Sequence, residues 1–456
     1  MTALATLLAV TLAASPPGPW GVVVHTYNHG DALRDLGAQW VRIDVRWPAV
    51  DAHGVPDLKP LDALLGHSFD RGLHVIAILS FEPLPAAANP EAEAARLAGL
   101  LATHFAERGV LWELGNEPEG TRYRDPLAYT RLARAMAAAI HHADARASIC
   151  APSTAWMDRS FLLRALDAGL LTDGTIDTVS YHGYHRPQLA AESGIVEDVQ
   201  WLRKVIAKYA PAGKRIHLID TERGYAIVGE NEPKVWSDWR NEVRTESEQA
   251  AYLARHYLES IHAGVETIVW YKDMFGERSF SLFYADEHDP RGLRPMGRVY
   301  RNLAHLLPDA VENERNDRYE VALSNDLVRT SDPNTLLVVR SYLRQMGDHE
   351  ELIVALWNPI ESAQGQVLAE RHREGDNFVE SWRPQRPEDA AVLSVQLLAF
   401  GVKPARVRTA YTYDLLAVAP ETARKPLEVS PNGSALGTAR INVGALPTIV
   451  VFELSK

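Results

Sequence analysis

From Trp20 to about Leu307 the chain alternates between two patterns. A short β-branched or apolar run ends in polar residues, and a longer amphipathic stretch follows. This rhythm predicts βα units around a parallel sheet. Eight strands are expected, over Gly21–His25, Trp40–Val45, His74–Ser80, Val110–Leu114, Ala147–Ala151, Thr178–Tyr181, Ile216–Asp220 and Glu266–Trp270. Helices are clearest over Pro60–Asp70, Glu91–Glu107, Pro126–His142, Ile195–Tyr209 and Glu246–His262, with a last one from Arg294 to Leu307. Within Pro126–His142, the spacing of Leu127, Leu132, Met136 and Ile140 marks out one apolar helical face.

Eight such units favour a closed (β/α)8 TIM barrel. An open doubly wound sheet has fewer strands and begins with a glycine-rich phosphate turn. No such turn follows the first strand here. After Leu307 the texture changes. Leu336–Ser341, Glu351–Trp357, Ala391–Leu398, Val407–Tyr413 and Arg440–Phe452 are short β-rich runs, with a final strand over Thr448–Glu453. These predict a small C-terminal antiparallel β-sandwich. The expected division is therefore residues 1–19 as signal peptide and spacer, 20–307 as barrel and 308–456 as sandwich, the last two packed directly together.

Composition narrows the function. A formal charge of −12 over 456 residues opposes nucleic-acid backbones and anionic membrane surfaces, and suits a neutral ligand such as a sugar. The single cysteine, Cys150, lies in an apolar stretch and reads as a small buried hydrophobe; no disulfide framework is possible. The apolar, uncharged Met1–Ala14 followed by a Pro-rich spacer points to export, giving a secreted or periplasmic protein.

In a TIM barrel, chemistry collects at the C-terminal ends of the strands. There the sequence places Asn116-Glu117-Pro118 after the fourth strand and Thr221-Glu222-Arg223-Gly224 after the seventh. The second strand carries Arg42 and Asp44, the sixth ends in Tyr181-His182-Gly183-Tyr184-His185, and the eighth ends in Trp270. Two glutamates across one barrel mouth match the needs of glycoside hydrolysis, with one carboxyl protonated to assist the leaving oxygen and one ionised to attack. A second Asn-Glu-Pro, at Asn231–Pro233, lacks a strand-and-helix frame and reads as loop. His182 and His185 lack a zinc-site pattern, so neither a metal nor an organic cofactor is expected. Tyr225, Trp236 and Trp239 lie in the long segment Gly224–Arg244, where they would either stack on sugars or pack the loop.

The fourth-strand Asn-Glu-Pro and seventh-strand Thr-Glu-x-Gly resemble glycoside hydrolase clan A, nearest to its family 39, β-xylosidase-like type. The resemblance spans roughly Trp20 to Leu307 and suits a trailing β-sandwich. It implies Glu117 as general acid/base and Glu222 as nucleophile. It implies Asn116 on the sugar 2-hydroxyl, Arg42 and Tyr184 on Glu222, His182 lining the subsite, and Trp270 as an apolar platform under the ring. Arg223 departs from the pattern, since an aromatic residue often follows the nucleophile. Two rival readings are a transglycosidase using the same site and a carbohydrate-binding barrel without turnover.

Overall fold

A computed structural model describes residues 18–24, 30–49, 56–80, 89–184, 194–227, 242–243, 245–273, 278–286, 289–308, 319–323, 337–358, 362–363, 366–374, 377–384 and 393–456. The expected export segment up to residue 17, His185, Asn231–Pro233, Trp236 and Trp239 lie outside them.

Eight parallel strands close into a barrel in chain order: β1 Trp20–Val24, β2 Trp40–Val45, β3 His74–Leu79, β4 Leu111–Leu114, β5 Ser148–Thr154, β6 Thr178–Tyr181, β7 His217–Arg223 and β8 Thr267–Trp270. The helices around it are α1 Gly30–Asp35, α2 Lys59–Phe69, α3 Pro90–His104, α4 Pro126–Ala143, α5 Arg159–Asp167, α6 Ile195–Tyr209, α7 Glu246–Ala263 and α8 Pro295–Leu306. Their starts carry legible signals. Asn89, Asp125, Asp158 and Thr245 cap α3, α4, α5 and α7 by accepting backbone N–H groups. The apolar face of α4 differs from the expectation in one place. Leu132, Met136 and Ile140 are buried beside Tyr129, Ala133 and Ala137, whereas Leu127 is 51% exposed. Leu127 sits in the first turn, roughly 140° around the helix axis from the middle of the buried stripe.

Strand alternation divides the barrel into two cores. Val23, Ile76, Leu111, Cys150, Ile219 and Val269 fill the interior. The intervening residues, including Val22, Val41, Val75, Trp112, Ile149, Val179, Leu218 and Trp270, point outward and join the helices in the large core. Cys150 is buried in the interior, as its apolar context implied.

The C-terminal region is antiparallel, as expected. A five-stranded sheet orders Val338–Gln345, His349–Trp357, Thr448–Ser455, Val407–Tyr413 and Arg424–Pro426. A four-stranded sheet orders Glu320–Leu323, Leu397–Phe400, Ala435–Thr438 and Val429–Asn432. Leu352, Val354, Val450 and Phe452 face into the sandwich with Leu397 and Leu436. Their neighbours Ile353, Ala355, Trp357 and Val451 face the other way and merge with the barrel's outer core. Arg340 forks onto Glu259 of α7 at 2.8 and 2.7 Å, and the Tyr342 hydroxyl donates to the Leu258 carbonyl at 2.8 Å. The sandwich thus stands on α7 and α8. A hairpin of Gln366–Glu374 and Asn377–Pro384, paired from Gln366↔Pro384 to Glu374↔Asn377, was not evident in so polar a stretch of sequence. No helix among the described residues is long and apolar enough to cross a membrane.

Candidate active site

Two bulges aim the side chains at the barrel mouth. On β7, Asp220 pairs with Ile268 and Arg223 with Trp270, so β7 spends one extra residue across that interval. A bulge resets which side chains face inward. Asp220 and Arg223 therefore both point outward, and Glu222 turns toward the mouth. On β5, Pro152 pairs with Ser180 and Thr154 with Tyr181, leaving Ser153 as the extra residue with φ 55°. Its hydroxyl donates inward to Glu113 at 2.5 Å. Glu117 follows β4 in the left-handed region at φ 45°, with its N–H bonded to the Ser153 carbonyl at 3.1 Å.

Arg42 is the hub. It points inward from β2, is 1% exposed, and uses its whole fork. Its Nε donates to Glu113 Oε2, Nη1 to Glu222 Oε2 and Nη2 to Asn116 Oδ1, each at 2.6 Å. Burial works against its charge, but Glu113 and Glu222 outweigh that and hold the proton more firmly than usual. Tyr184 donates its hydroxyl to the other oxygen of Glu222 at 2.9 Å. Both oxygens of Glu222 are thus fixed. Glu113 is the functional residue that the motifs did not announce. Its signal is parity: Leu111 points inward, so the charged Glu113 two residues on must also.

His182 joins the two halves of the site. Its Nδ1 lies 2.8 Å from Glu117 Oε1 and its Nε2 3.2 Å from Arg42 Nη2. A proton therefore sits on Nδ1, between the ring and Glu117. Burial would raise the Glu117 carboxyl, yet the hydrogen bond and charge of His182, with Arg42 behind, bring it below its ordinary value. One oxygen of Glu117, one ring nitrogen of His182 and one oxygen of Glu222 all lie within 4.8 Å of one another. That triangle has the size of a cation site, but both Glu222 oxygens and both His182 nitrogens already have protein partners, and the Arg42 charge repels a cation. The other such triangle among the described residues, His349, Glu351 and Glu453, is likewise occupied by arginines, with Arg344 on Glu351 and Arg424 on Glu453.

Glu119 anchors the mouth from behind. It accepts the Ala155 N–H, tying the turn Pro118–Gly120 to the turn Ala155–Met157. Its other oxygen is buried and, among the described residues, has no hydrogen-bond partner. Burial, and to a lesser degree the nearby Glu117 charge, pushes its carboxyl up to about 7. The folded protein therefore binds a proton here that the unfolded chain releases near the ordinary value of 4.5. This contribution to stability is full below pH 4.5 and is lost as pH rises through about 7. Glu119→Gln keeps the acceptor and removes the ionised form. It is expected to raise the unfolding free energy at pH 8 by on the order of 2 kcal/mol and to leave it unchanged at pH 4. Urea titrations at the two pH values check this, and an equal effect at both would contradict it.

The platform expectation for Trp270 is corrected. Its ring is fully buried against Tyr225, His256 and Tyr257, at centroid distances of 5.9, 6.2 and 6.1 Å. Val269 points inward, so Trp270 must point out toward α7. Tyr225, 2% exposed, packs there too, which resolves its role as structural. The aromatic surface at the mouth comes from elsewhere. Trp156 is 42% exposed at φ 52° and lies 5.8 Å from the Tyr184 ring. Tyr271, next in register after Trp270, packs against the interior cluster.

Arg223 also finds its place. It lies outside the barrel with Asp220 and the α7 residue His256, its Nη1 2.6 Å from His256 Nδ1. Asp220 accepts the Gly183 N–H at 3.0 Å. A Cβ at Gly183 would collide with both Arg223 and Asp220, so the His-Gly-Tyr element needs its glycine for this close approach.

The fold and the mouth together define a (β/α)8 barrel carrying a pair of facing glutamates and a C-terminal β-sandwich. Solved structures share this fold. The chain is similar to a family 39 glycoside hydrolase from the gut symbiont Bacteroides cellulosilyticus WH2, at 18% identity and TM-score 0.61 over 95% of this chain and 81% of that one. It is similar to a monomeric beta-xylosidase from Caulobacter crescentus CB15, at 16% identity and TM-score 0.55 over 96% and 97%. A glucosidase from Croceicoccus marinus shares 11% identity and TM-score 0.56 over 97% of both chains. No protein-family model matches the chain, and no curated protein does.

Proposed function

We propose that the protein is a retaining O-glycoside hydrolase of the clan A type, acting on an oligo- or polysaccharide, with Glu117 as acid/base and Glu222 as nucleophile. The observation that carries this reading is the spacing of the two carboxyl groups, whose nearest oxygens lie within 4.8 Å. Retaining enzymes hold theirs about 5–5.5 Å apart, whereas inverting enzymes need roughly 6.5–9.5 Å to admit a water. The similarity of fold to the xylosidase and the glucosidase supports the same reading.

In the first step Glu222 attacks the anomeric carbon and the glycosidic C–O bond breaks. Arg42 and Tyr184 hold the attacking carboxylate along its line of approach. Glu117 in its protonated form gives its proton to the departing oxygen and is left as the carboxylate, oriented by His182. In the second step Glu117 takes a proton from water, whose oxygen displaces Glu222 from the anomeric carbon. Asn116, oriented by Arg42, is placed to accept from the sugar 2-hydroxyl or donate to it.

Glu117→Gln tests the acid/base role through leaving-group chemistry. For an alkyl glycoside, kcat/KM is expected to fall by about 10³-fold. For a dinitrophenyl glycoside, whose leaving group needs no proton, glycosylation should stay near wild type. Equal losses for both substrates would sink the assignment. Trp156 is the proposed sugar platform. Trp156→Ala is expected to raise KM roughly tenfold with the fold unchanged, since an aromatic contact contributes about 0.5–1.5 kcal/mol beyond area burial. An unchanged KM on both short and long substrates would remove it from the site.

A further inference from the structure

A cavity of about 720 Å³ lies at the seam between the barrel and the sandwich, within the range of small-molecule sites of roughly 300–1,000 Å³. Its wall includes the end of α8, the C-terminal residue of α1 and the sandwich segment 413–424. Helix C-termini in this barrel lie at the face opposite Glu117 and Glu222, so the cavity is separate from the mouth.

Its charge is contrary to that of the molecule. In a chain of net charge −12, three guanidiniums and an imidazole line one cavity, against the two carboxylates Asp35 and Glu421. The arginines are not equally committed. Arg344 is fully employed: it pairs with buried Glu351 and caps α8 by donating to the His305 and Leu306 carbonyls. Arg424 lies over the Tyr411 ring at 4.7 Å and, among the described residues, gives only Nη1 to Glu453. Arg301, one helical turn before His305, gives Nη2 to the Ala417 and Val418 carbonyls at 3.1 and 2.5 Å. Its Nε is shielded from solvent and, among the described residues, has no acceptor. Burial and the neighbouring Arg298 both work against its charge. An oxyanion in the cavity would add charge-assisted hydrogen bonds to the guanidinium groups that line it.

We infer that this seam is a second binding site, for a small ligand bearing an oxyanion, held by Arg301 and Arg424 with His305 beside them. The inference does not depend on the hydrolase reading. Two sources share the chemistry: the carboxylate of an acidic sugar, and a free inorganic anion such as sulfate.

Isothermal titration of the whole protein with glucuronate, glucose and sulfate, at constant ionic strength, tests it. Glucuronate is expected to bind and glucose is not. Arg301→Gln and Arg424→Gln are each expected to weaken glucuronate binding at least tenfold, while Glu222→Gln, at the mouth, leaves it unchanged. Sulfate matching or exceeding glucuronate, with the same dependence on Arg301, supports the site and assigns it to the inorganic anion. Glucose binding as well as glucuronate, no anion binding at all, or glucuronate binding lost in Glu222→Gln but kept in both arginine variants would overturn it. Far-ultraviolet circular dichroism of each variant separates loss of binding from loss of fold.

Discussion

Glu222→Ala is expected to lower kcat on any glycoside substrate by on the order of 10⁴-fold or more, because no covalent intermediate can then form. The side chain sits at the rim, 8% exposed, and its loss uncovers a pocket about as large as a small anion. Added azide should therefore occupy the vacated space, attack the anomeric carbon from the same face, and restore turnover in a concentration-dependent way. Its product would be a glycosyl azide of inverted configuration, since only one displacement has occurred. Wild-type activity in Glu222→Ala, or azide rescue giving a product of retained configuration, would contradict the role. The second outcome would fit an acid/base residue instead.

Arg42→Met is expected to strike stability and activity together. The guanidinium neutralises two carboxylates that the fold has taken out of water, and Glu113 is wholly buried. Removing one member of such a group leaves unpaired buried charge, at a cost of about 3–5 kcal/mol. It also releases Asn116 and one oxygen of Glu222. The urea midpoint should fall, and kcat should drop by roughly 10²–10³-fold, as expected when positioning of reacting groups is lost. Arg42→Lys should recover little, because one ammonium cannot reproduce a fork that meets three acceptors. Adding Glu113→Gln to Arg42→Met removes one of the stranded charges. It should regain part of the stability and none of the activity. Regain of both would show that Arg42 acts only through folding.

The barrel was legible because its signals repeat. Six of the eight helices were expected, α1 and α5 were not, and the eight strands lie within three residues of their expected limits at either end. Glu117 and Glu222 were legible because motif and strand order coincide. What was missed has one physical origin: the direction of side chains. Trp270 lies at a strand end, as read, but strand parity turns it away from the mouth. Glu113 sits within an apolar strand that hides a charge facing inward. The bulges at Ser153 and Glu222 break the period-two rule, so no reading by alternation would have turned both residues inward. Trp156 depends on a left-handed backbone, which its sequence does not advertise. Arg223 departs from the expected pattern after Glu222, and the bulge shows why it is tolerated: it faces α7 instead of the barrel mouth.

Trapping the intermediate bears most directly on the central claim. A dinitrophenyl 2-deoxy-2-fluoroglycoside forms its glycosyl-enzyme quickly and loses it slowly, because fluorine destabilises the charge that develops in both steps. After peptic digestion, mass spectrometry should find a single fluoroglycosyl group on the peptide containing Glu222, carried by its carboxyl oxygen. A label on Glu117 instead, or rapid turnover of that donor with no label anywhere, would contradict the assignment.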